Sequence, residues 1–129
     1  MGLADGRPSP SPVRFTHPPL AIAAGGWTAW VVLREGHRLA RVDLRTRRLV
    51  GRPIAVGRDP YNATLAAGSV WVTSAGEDVV TQVDARTGRV VGKVPAGDAA
   101  RDVAAGFGSV WVTNANDGTV TRIDPTPQG

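Results

Sequence analysis

The chain of 129 residues contains no cysteine, a single lysine and no long apolar run. Without cysteine it has neither disulfides nor thiolate metal sites. Its longest apolar stretch, Leu20 to Gly26, is far shorter than the ~20 residues that a transmembrane helix requires. Met1 to Pro19 lacks the apolar centre of a secretory signal peptide. These absences predict a protein without a membrane span and leave its compartment unknown.

The most informative feature that is present is an internal repeat. Two sets of residues keep it: Trp30, Trp71 and Trp111, and Asp43, Asp84 and Asp124. The members of each set are 41 and 40 residues apart. The stretch GSVWVT occurs at Gly68–Thr73 and again at Gly108–Thr113, and the first copy has the degenerate WTAWVV at Trp27–Val32. Because independent markers share one spacing, the chain consists of tandem copies of one structural unit.

A complete copy has the pattern of four short β-strands separated by turns. In the second copy the predicted strands, rich in valine and threonine, are Ala63–Ala67, Val70–Ser74, Val79–Val83 and Val90–Val94. Consecutive apolar residues, as in Val70 to Val72, indicate that both faces of a strand are buried, as in stacked sheets. Four strands per ~40 residues are typical of a β-propeller blade. A two-sheet sandwich is the alternative, but it does not explain the period.

The predicted fold is therefore all-β, with two complete four-stranded antiparallel β-propeller blades and a truncated third blade. We place the blades at about 18–57, 58–97 and 98–129, after a disordered N-terminal segment at 1–17. Within that segment, Val13 to His17 has the composition of a strand. We hypothesise that it supplies the missing strand of the third blade in a neighbouring chain, because propellers often close with a strand from the other terminus.

GSVWVT, followed by TVTRIDP at Thr119–Pro125, resembles the tryptophan-containing YVTN-type propeller repeats of bacterial extracytoplasmic and surface proteins. The chain is similar in the same way to the blades of streptogramin lyases and of NHL-like and lactonase-like propellers. The resemblance covers about Pro18 to Pro125 and implies a propeller fold and an extracytoplasmic location. Such repeats occur in enzymes, sensors and binding proteins alike, so they do not select a function.

The number of repeats has a consequence for partners. Closed propellers have about 4–8 blades, whereas this sequence has two full copies and part of a third. An open stack leaves two apolar sheet faces uncovered, which exceeds what a monomer usually tolerates. We therefore expect self-association, with two chains forming a six-bladed ring, or contact with the remaining blades of a larger propeller.

Candidate ligand-binding residues lie in the loops that lead into each innermost strand, where propellers usually bind ligands over the central channel. The mixture of arginines, carboxylates and one aromatic suits a protein or a polar small-molecule ligand. Ordinary solvated loops are the alternative. The candidates are Arg58, Asp59, Tyr61, Asn62, Asp98, Arg101 and Asp102.

The sequence offers no recognisable catalytic or metal site. His17 and His37 occupy different repeat positions, aligned with Arg58 and Asp78, and no partner accompanies them at a metal-ligand spacing. We therefore predict no metal and no cofactor, and we favour a non-catalytic recognition module over an enzyme. A remnant or relative of a lyase or lactonase propeller, with His37 and Glu35 as a catalytic pair, is the alternative.

Basic charge is concentrated in the first copy. The net charge of the chain is +4, and eight arginines lie between Arg34 and Arg58. Polyanion binding through this cluster is a third functional hypothesis. The densest part, Arg45 to Arg52, aligns with a predicted turn of the second copy, which favours a solvated rim. No aromatic residue is interleaved with these arginines, which argues against nucleic acid as a partner.

The residues that mark the period are expected to have structural roles. We predict that the three periodic tryptophans lie in the core, whereas Trp27 breaks the repeat and is exposed. Each periodic aspartate follows a strand, where its carboxylate accepts hydrogen bonds from the backbone N–H groups of the next turn.

Overall fold

The computed structural model describes residues 12–125, which form twelve β-strands and no helix. The first sheet contains β1 (Pro19–Gly25), β2 (Thr28–Leu33), β3 (Arg38–Asp43), β4 (Arg48–Leu49) and β5 (Ile54–Ala55). The second contains β6 (Pro60–Ala66), β7 (Ser69–Ser74), β8 (Val79–Asp84) and β9 (Val90–Pro95). The third contains β10 (Ala100–Gly106), β11 (Ser109–Asn114) and β12 (Thr119–Ile123). The predicted all-β class is confirmed. Among these residues there is no helix that could cross a membrane.

Each sheet is an antiparallel meander in which strands that follow one another along the chain are hydrogen-bonded. The fourth strand of the first sheet is divided into β4 and β5, which both pair with β3. In the second sheet the strands lie close to their predicted positions, but β6 begins three residues earlier than predicted, at Pro60. The sequence of these residues is polar, and they extend the strand through the irregularity described below.

The sheets stack face to face, and the core lies between them. One apolar cluster, which includes Trp30, Leu39 and Val72, joins the first sheet to the second. Another, which includes Trp71 and Val112, joins the second sheet to the third. Strands β1, β6 and β10 are neighbours, so the first strand of each sheet lies on the same side of the stack. This arrangement explains why both faces of the central strands are apolar.

The periodic tryptophans differ in their burial. Trp30 and Trp71 are 1% and 2% exposed, as predicted for core residues, whereas Trp111 is 37% exposed. The prediction that all three lie in the core is therefore wrong for Trp111. The physical reason is that no sheet within residues 12–125 covers the outer face of β11. Trp27, predicted to be exposed, is 59% exposed.

The segment before the first sheet is described from Pro12 onward. Val13 to His17 forms no strand in the single chain. Val13 and Phe15 instead pack against the outer face of the first sheet, on a cluster that includes Val31 and Val42. Apolar side chains at alternate positions thus cover a sheet face. The disorder of 1–17 stays a prediction, and its residues 1–11 lie outside the described residues.

The periodic aspartates act as predicted in the first two sheets. Asp43 Oδ1 accepts hydrogen bonds from the backbone N–H groups of Arg45 (2.8 Å) and Thr46 (3.3 Å). Asp84 Oδ1 accepts the equivalent pair from the residues after β8. Asp124 instead forms an ion pair with Arg122 (3.5 Å), and most of the turn that follows it lies outside the described residues.

Candidate functional site

The start of each inner strand contains a β-bulge. In β6, Pro60 pairs with Ser74 and Ala63 pairs with Val72, so the inner strand has one residue more than its partner. In β10 the same shift occurs between Ala100 and Val103. A bulge re-aims the side chains of the residues it contains, and bulges are common beside functional sites. The bulged residues are Tyr61 and Asn62 in β6, and Arg101 and Asp102 in β10.

The two bulges bring four of the seven candidate residues together. The Arg101 guanidinium lies over the Tyr61 ring, 5.8 Å from its centroid, which is cation–π geometry. Asn62 Nδ2 donates a hydrogen bond to Asp102 Oδ1. Arg101 and Asp102 are exposed, and Tyr61 and Asn62 are half-buried. The result is a polar surface shared by two neighbouring sheets, which we call the bulge site.

Threonines of the repeated WVT motif fix the bulges. Thr73 Oγ1 accepts a hydrogen bond from the backbone N–H of Asn62 (3.1 Å) and donates one to the carbonyl of Arg101 (2.5 Å). Thr113 Oγ1 accepts one from the backbone N–H of Asp102 (3.0 Å). Sequence reasoning missed this role, although the threonine of GSVWVT keeps the period and was a usable signal.

The other three candidates lie in the loops between sheets, where they contact other residues of the protein. The Arg58 side chain donates to the carbonyl of Gly76 (3.1 Å). Asp98 Oδ1 accepts from Asn116 Nδ2 (3.4 Å). Asp59 lies beside Gly76, with its Oδ2 3.0 Å from the position that a Cβ on that glycine would take. These residues hold the turn between the second and third strands of their own sheet.

His37 has a contact that sequence reasoning did not foresee. Its Nδ1 accepts a hydrogen bond from the backbone N–H of Asp59 (3.2 Å), which links the first sheet to the loop that begins the second. Asp78, at the equivalent repeat position, accepts one in the same way from the backbone N–H of Ala99 (2.9 Å). The alignment of His37 with Asp78 was the available signal for this structural role. We call each of these hydrogen bonds a clamp.

Glu77 has a perturbed ionisation near this site. Its carboxylate accepts a hydrogen bond from the backbone N–H of Arg58 (2.5 Å) and another from Lys93 Nζ (3.3 Å). Both interactions favour the charged form, the first more strongly, and they hold the pKa of Glu77 below its ordinary value. Within the described part of the chain, no group of three His, Cys, Asp or Glu residues is arranged to hold a metal ion.

The arginines of the first sheet have aromatic neighbours that the linear sequence does not place beside them. Arg45 lies over the ring of Trp27 at 5.1 Å, and Arg41 lies over the ring of Trp30 at 5.2 Å. No aromatic residue is interleaved with these arginines in the sequence, but the turn between β1 and β2 brings Trp27 to Arg45. This pair lies at the opposite end of the strands from the bulge site.

Comparison with known proteins gives structural matches alone, since the sequence matches no protein-family model and no curated protein. A streptogramin B lyase matches 92% of this chain with a TM-score of 0.71 and 16% identity. A catalytically inactive virginiamycin B lyase from Staphylococcus aureus, solved with quinupristin, matches 86% with a TM-score of 0.66 and 16% identity. Sqt1 from Saccharomyces cerevisiae matches 85% with a TM-score of 0.67 and 14% identity.

These similar structures are β-propeller proteins. The predicted architecture of propeller blades is therefore confirmed. The matched region is 45%, 42% and 31% of the lengths of these three proteins, so this chain spans less than half of each. At such low identities the likeness concerns the fold.

Proposed function

We propose that the chain is a non-catalytic recognition module of a β-propeller, and that the bulge site binds a polar ligand carrying an anionic group. The observation behind the proposal is the placement of Arg101 on the Tyr61 ring, with no hydrogen bond or ion pair to its guanidinium within residues 12–125. A stacked guanidinium keeps its N–H donors free at the ring edge, in the fork geometry that suits a carboxylate or phosphate.

The rest of the bulge site supports recognition rather than turnover. The hydrogen bond between Asn62 and Asp102 joins two sheets, and Asp102 Oδ1 also accepts from the backbone N–H of Val103 (3.0 Å). Side chains held in this way are preorganised, which lowers the entropic cost of binding. They are hydrogen-bonded to one another instead of being paired with a nucleophile or a base. We further propose that the blades are of the YVTN type and belong to a larger propeller.

Amide NMR of the ¹⁵N-labelled chain, titrated with short peptides that differ in one carboxylate-bearing residue, tests the site. We expect shifts centred on Tyr61, Asn62, Arg101 and Asp102, and a Kd raised by about tenfold or more in Arg101→Ala. Arg45→Ala is the matched control, because Arg45 is also stacked on an aromatic ring but at the other end of the strands. It should leave the Kd unchanged.

Two results would contradict the proposal. Shifts spread over Arg34 to Arg58, with steep loss of affinity in salt, would favour polyanion binding instead. Turnover of a depsipeptide or lactone that is lost in His37→Ala would show that the chain is an enzyme.

A further inference from the structure

Residues before β1 occupy the repeat position of a fourth strand. Three apolar pairs are related by steps of 41 and 40 residues: Val13 and Phe15, Ile54 and Val56, and Val94 and Ala96. The second pair packs in the cluster between the first and second sheets, and the third pair in the cluster between the second and third sheets. Val13 and Phe15 pack in the same way on the outer face of the first sheet. They therefore lie where the last strand of a preceding sheet would lie.

Within residues 12–125, the edge strand of the third sheet, β12, has no fourth strand paired with it. In the first two sheets, Leu39 pairs with Ile54 and Val80 pairs with Val94, and both Leu39 and Val80 are fully buried. Their counterpart on β12 is Val120, which is 61% exposed and has no fourth strand beside it within residues 12–125. If the same register applied, Val120 would pair with Val13.

The outer faces of the two end sheets carry the counterparts of residues that pack together between the second and third sheets. Trp71 packs in one cluster with Val103 and Val112 of the next sheet. The counterparts of these two valines on the first sheet are Ile22 and Val31, which line a groove of about 270 Å³ together with Phe15 and Leu20. This volume is below the roughly 300–1,000 Å³ of small-molecule pockets and suits a large side chain. Trp111 is the counterpart of Trp71; on the third sheet it is 37% exposed, with Arg122 over its ring at 5.8 Å.

We propose that the third sheet of one copy docks on the first sheet of a second copy, head to tail. In this contact, Val13–His17 of the second copy pairs with β12, and Trp111 enters the groove beside Ile22. The inference rests on the proposed membership of a larger propeller and names the partner as this same chain. Two such contacts close a ring of two copies.

The area available is sufficient for a stable assembly. The third sheet has three strands, and a face of three strands by about five residues measures roughly 240 Å², from strand spacing and rise. Two contacts of two such faces each would bury roughly 1,000 Å², about the area that a specific protein interface needs, and the pairing of Val13–His17 with β12 would add to it. The internal repeat supplies the geometry, because the same kind of contact already joins the first sheet to the second and the second to the third.

Cysteine crosslinking tests the pairing directly, since the chain has no native cysteine. A chain carrying Val13→Cys is mixed with a mass-tagged chain carrying Val120→Cys and oxidised gently. Directly opposed strand residues have Cβ atoms about 4.5–5.5 Å apart, close enough for a disulfide after a small adjustment. The control replaces Val120→Cys by Phe107→Cys, a fully exposed position at the β10–β11 turn. We expect the mixed dimer with Val120→Cys and not with Phe107→Cys; equal yields in both would overturn the proposal.

Sedimentation of the full chain tests the mode of assembly. We expect a two-copy mass for the native chain, and a Kd raised by about tenfold or more in either Val120→Asp or Ile22→Asp. Each variant keeps one intact face, so mixing the two should restore a dimer through a single contact. A native chain that stays monomeric up to roughly 1 mM, or variants that fail to rescue each other, would overturn the proposal. Ligand binding at Arg101 that persists in monomeric Val120→Asp would leave the proposed recognition function standing.

Discussion

The second and third sheets present nearly the same surface in two environments. Trp71 and Val80 of the second sheet are buried against the third, whereas their counterparts Trp111 and Val120 face outward. The residues are the same at both positions, so the difference comes from the neighbouring sheet and not from the local sequence. In a repeat protein, stability is approximately a sum over units and the contacts between neighbours. The stability contributed by a repeated residue therefore depends on its position in the stack.

The largest expected effect compares the two tryptophans. Trp71→Ala should lower the free energy of unfolding by about 3–5 kcal/mol, because it leaves a cavity between two sheets. Trp111→Ala should lower it by less than about 2 kcal/mol, because part of that side chain is already in water. Urea unfolding followed by circular dichroism, in the Val120→Asp background to prevent association, measures both. Equal losses of unfolding free energy would show that Trp111 is buried as completely as Trp71.

A smaller effect compares two glycines near β9. Gly97→Ala would place a Cβ 2.6 Å from Cγ of Asn114, a buried residue that is held by hydrogen bonds to Thr119 and Thr121. We expect a loss of about 1–3 kcal/mol in the free energy of unfolding, typical of overpacking. Gly92→Ala is the control, because nothing lies within 4 Å of its added methyl group. Thermal unfolding of the two variants separates them, and a Gly97→Ala chain as stable as Gly92→Ala would contradict the close approach.

The smallest effect concerns Glu77 and depends on pH. Because its folded-state pKa is lowered, its stabilising contribution is complete above the ordinary value of 4.5 and disappears as the pH falls through the folded pKa. Glu77→Gln should cost at most about 1 kcal/mol at neutral pH, since the side chain is partly exposed. The gap between native and variant unfolding free energies should narrow as the pH falls below 4.5 and close once the pH lies below the folded-state pKa. A gap that is constant across this range would mean that charge on Glu77 is irrelevant.

Asp117→Asn provides the comparison within the third sheet. Asp117 Oδ2 accepts a hydrogen bond from the backbone N–H of Asp98 (2.9 Å), as Glu77 does from Arg58, and no lysine pairs with Asp117 among residues 12–125. The difference between the two variants therefore compares a carboxylate that has a lysine partner with one that has none.

The fold could be predicted because the information for it is local and repeated. The spacing of tryptophan and aspartate gives the unit, and valine-rich runs such as Val70 to Val72 give strands buried on both faces. The exposure of Trp111 could not be predicted in the same way, because GSVWVT is identical in the second and third copies. Identical letters have identical propensities, and what differs is the presence of a neighbouring sheet.

The sequence predicted where the seven candidate residues lie, but only four of them contact one another. Tyr61, Asn62, Arg101 and Asp102 meet because two bulges each add one residue to an inner strand. A bulge depends on the register between two strands, which a single strand's composition does not specify. Arg58, Asp59 and Asp98 share the predicted loops but lie at the turns of their own sheets. Their role in binding stays a prediction.

The clamps between sheets also determine where an assembled ring would open. In the first two sheets, the side chains of His37 and Asp78 accept the clamp hydrogen bond from the next loop. The equivalent residue of the third sheet is Gly118, which has no side chain to accept one. The clamp donors are the backbone N–H groups of Asp59 and Ala99. The equivalent residue before the first sheet is Pro18, which has no N–H to donate. At the two proposed contacts between copies, Gly118 would face Pro18, so neither contact would contain a clamp hydrogen bond and neither would leave a backbone N–H without a partner. Such a ring would separate reversibly at those two seams, exchanging whole chains while the sheets within each chain stay together.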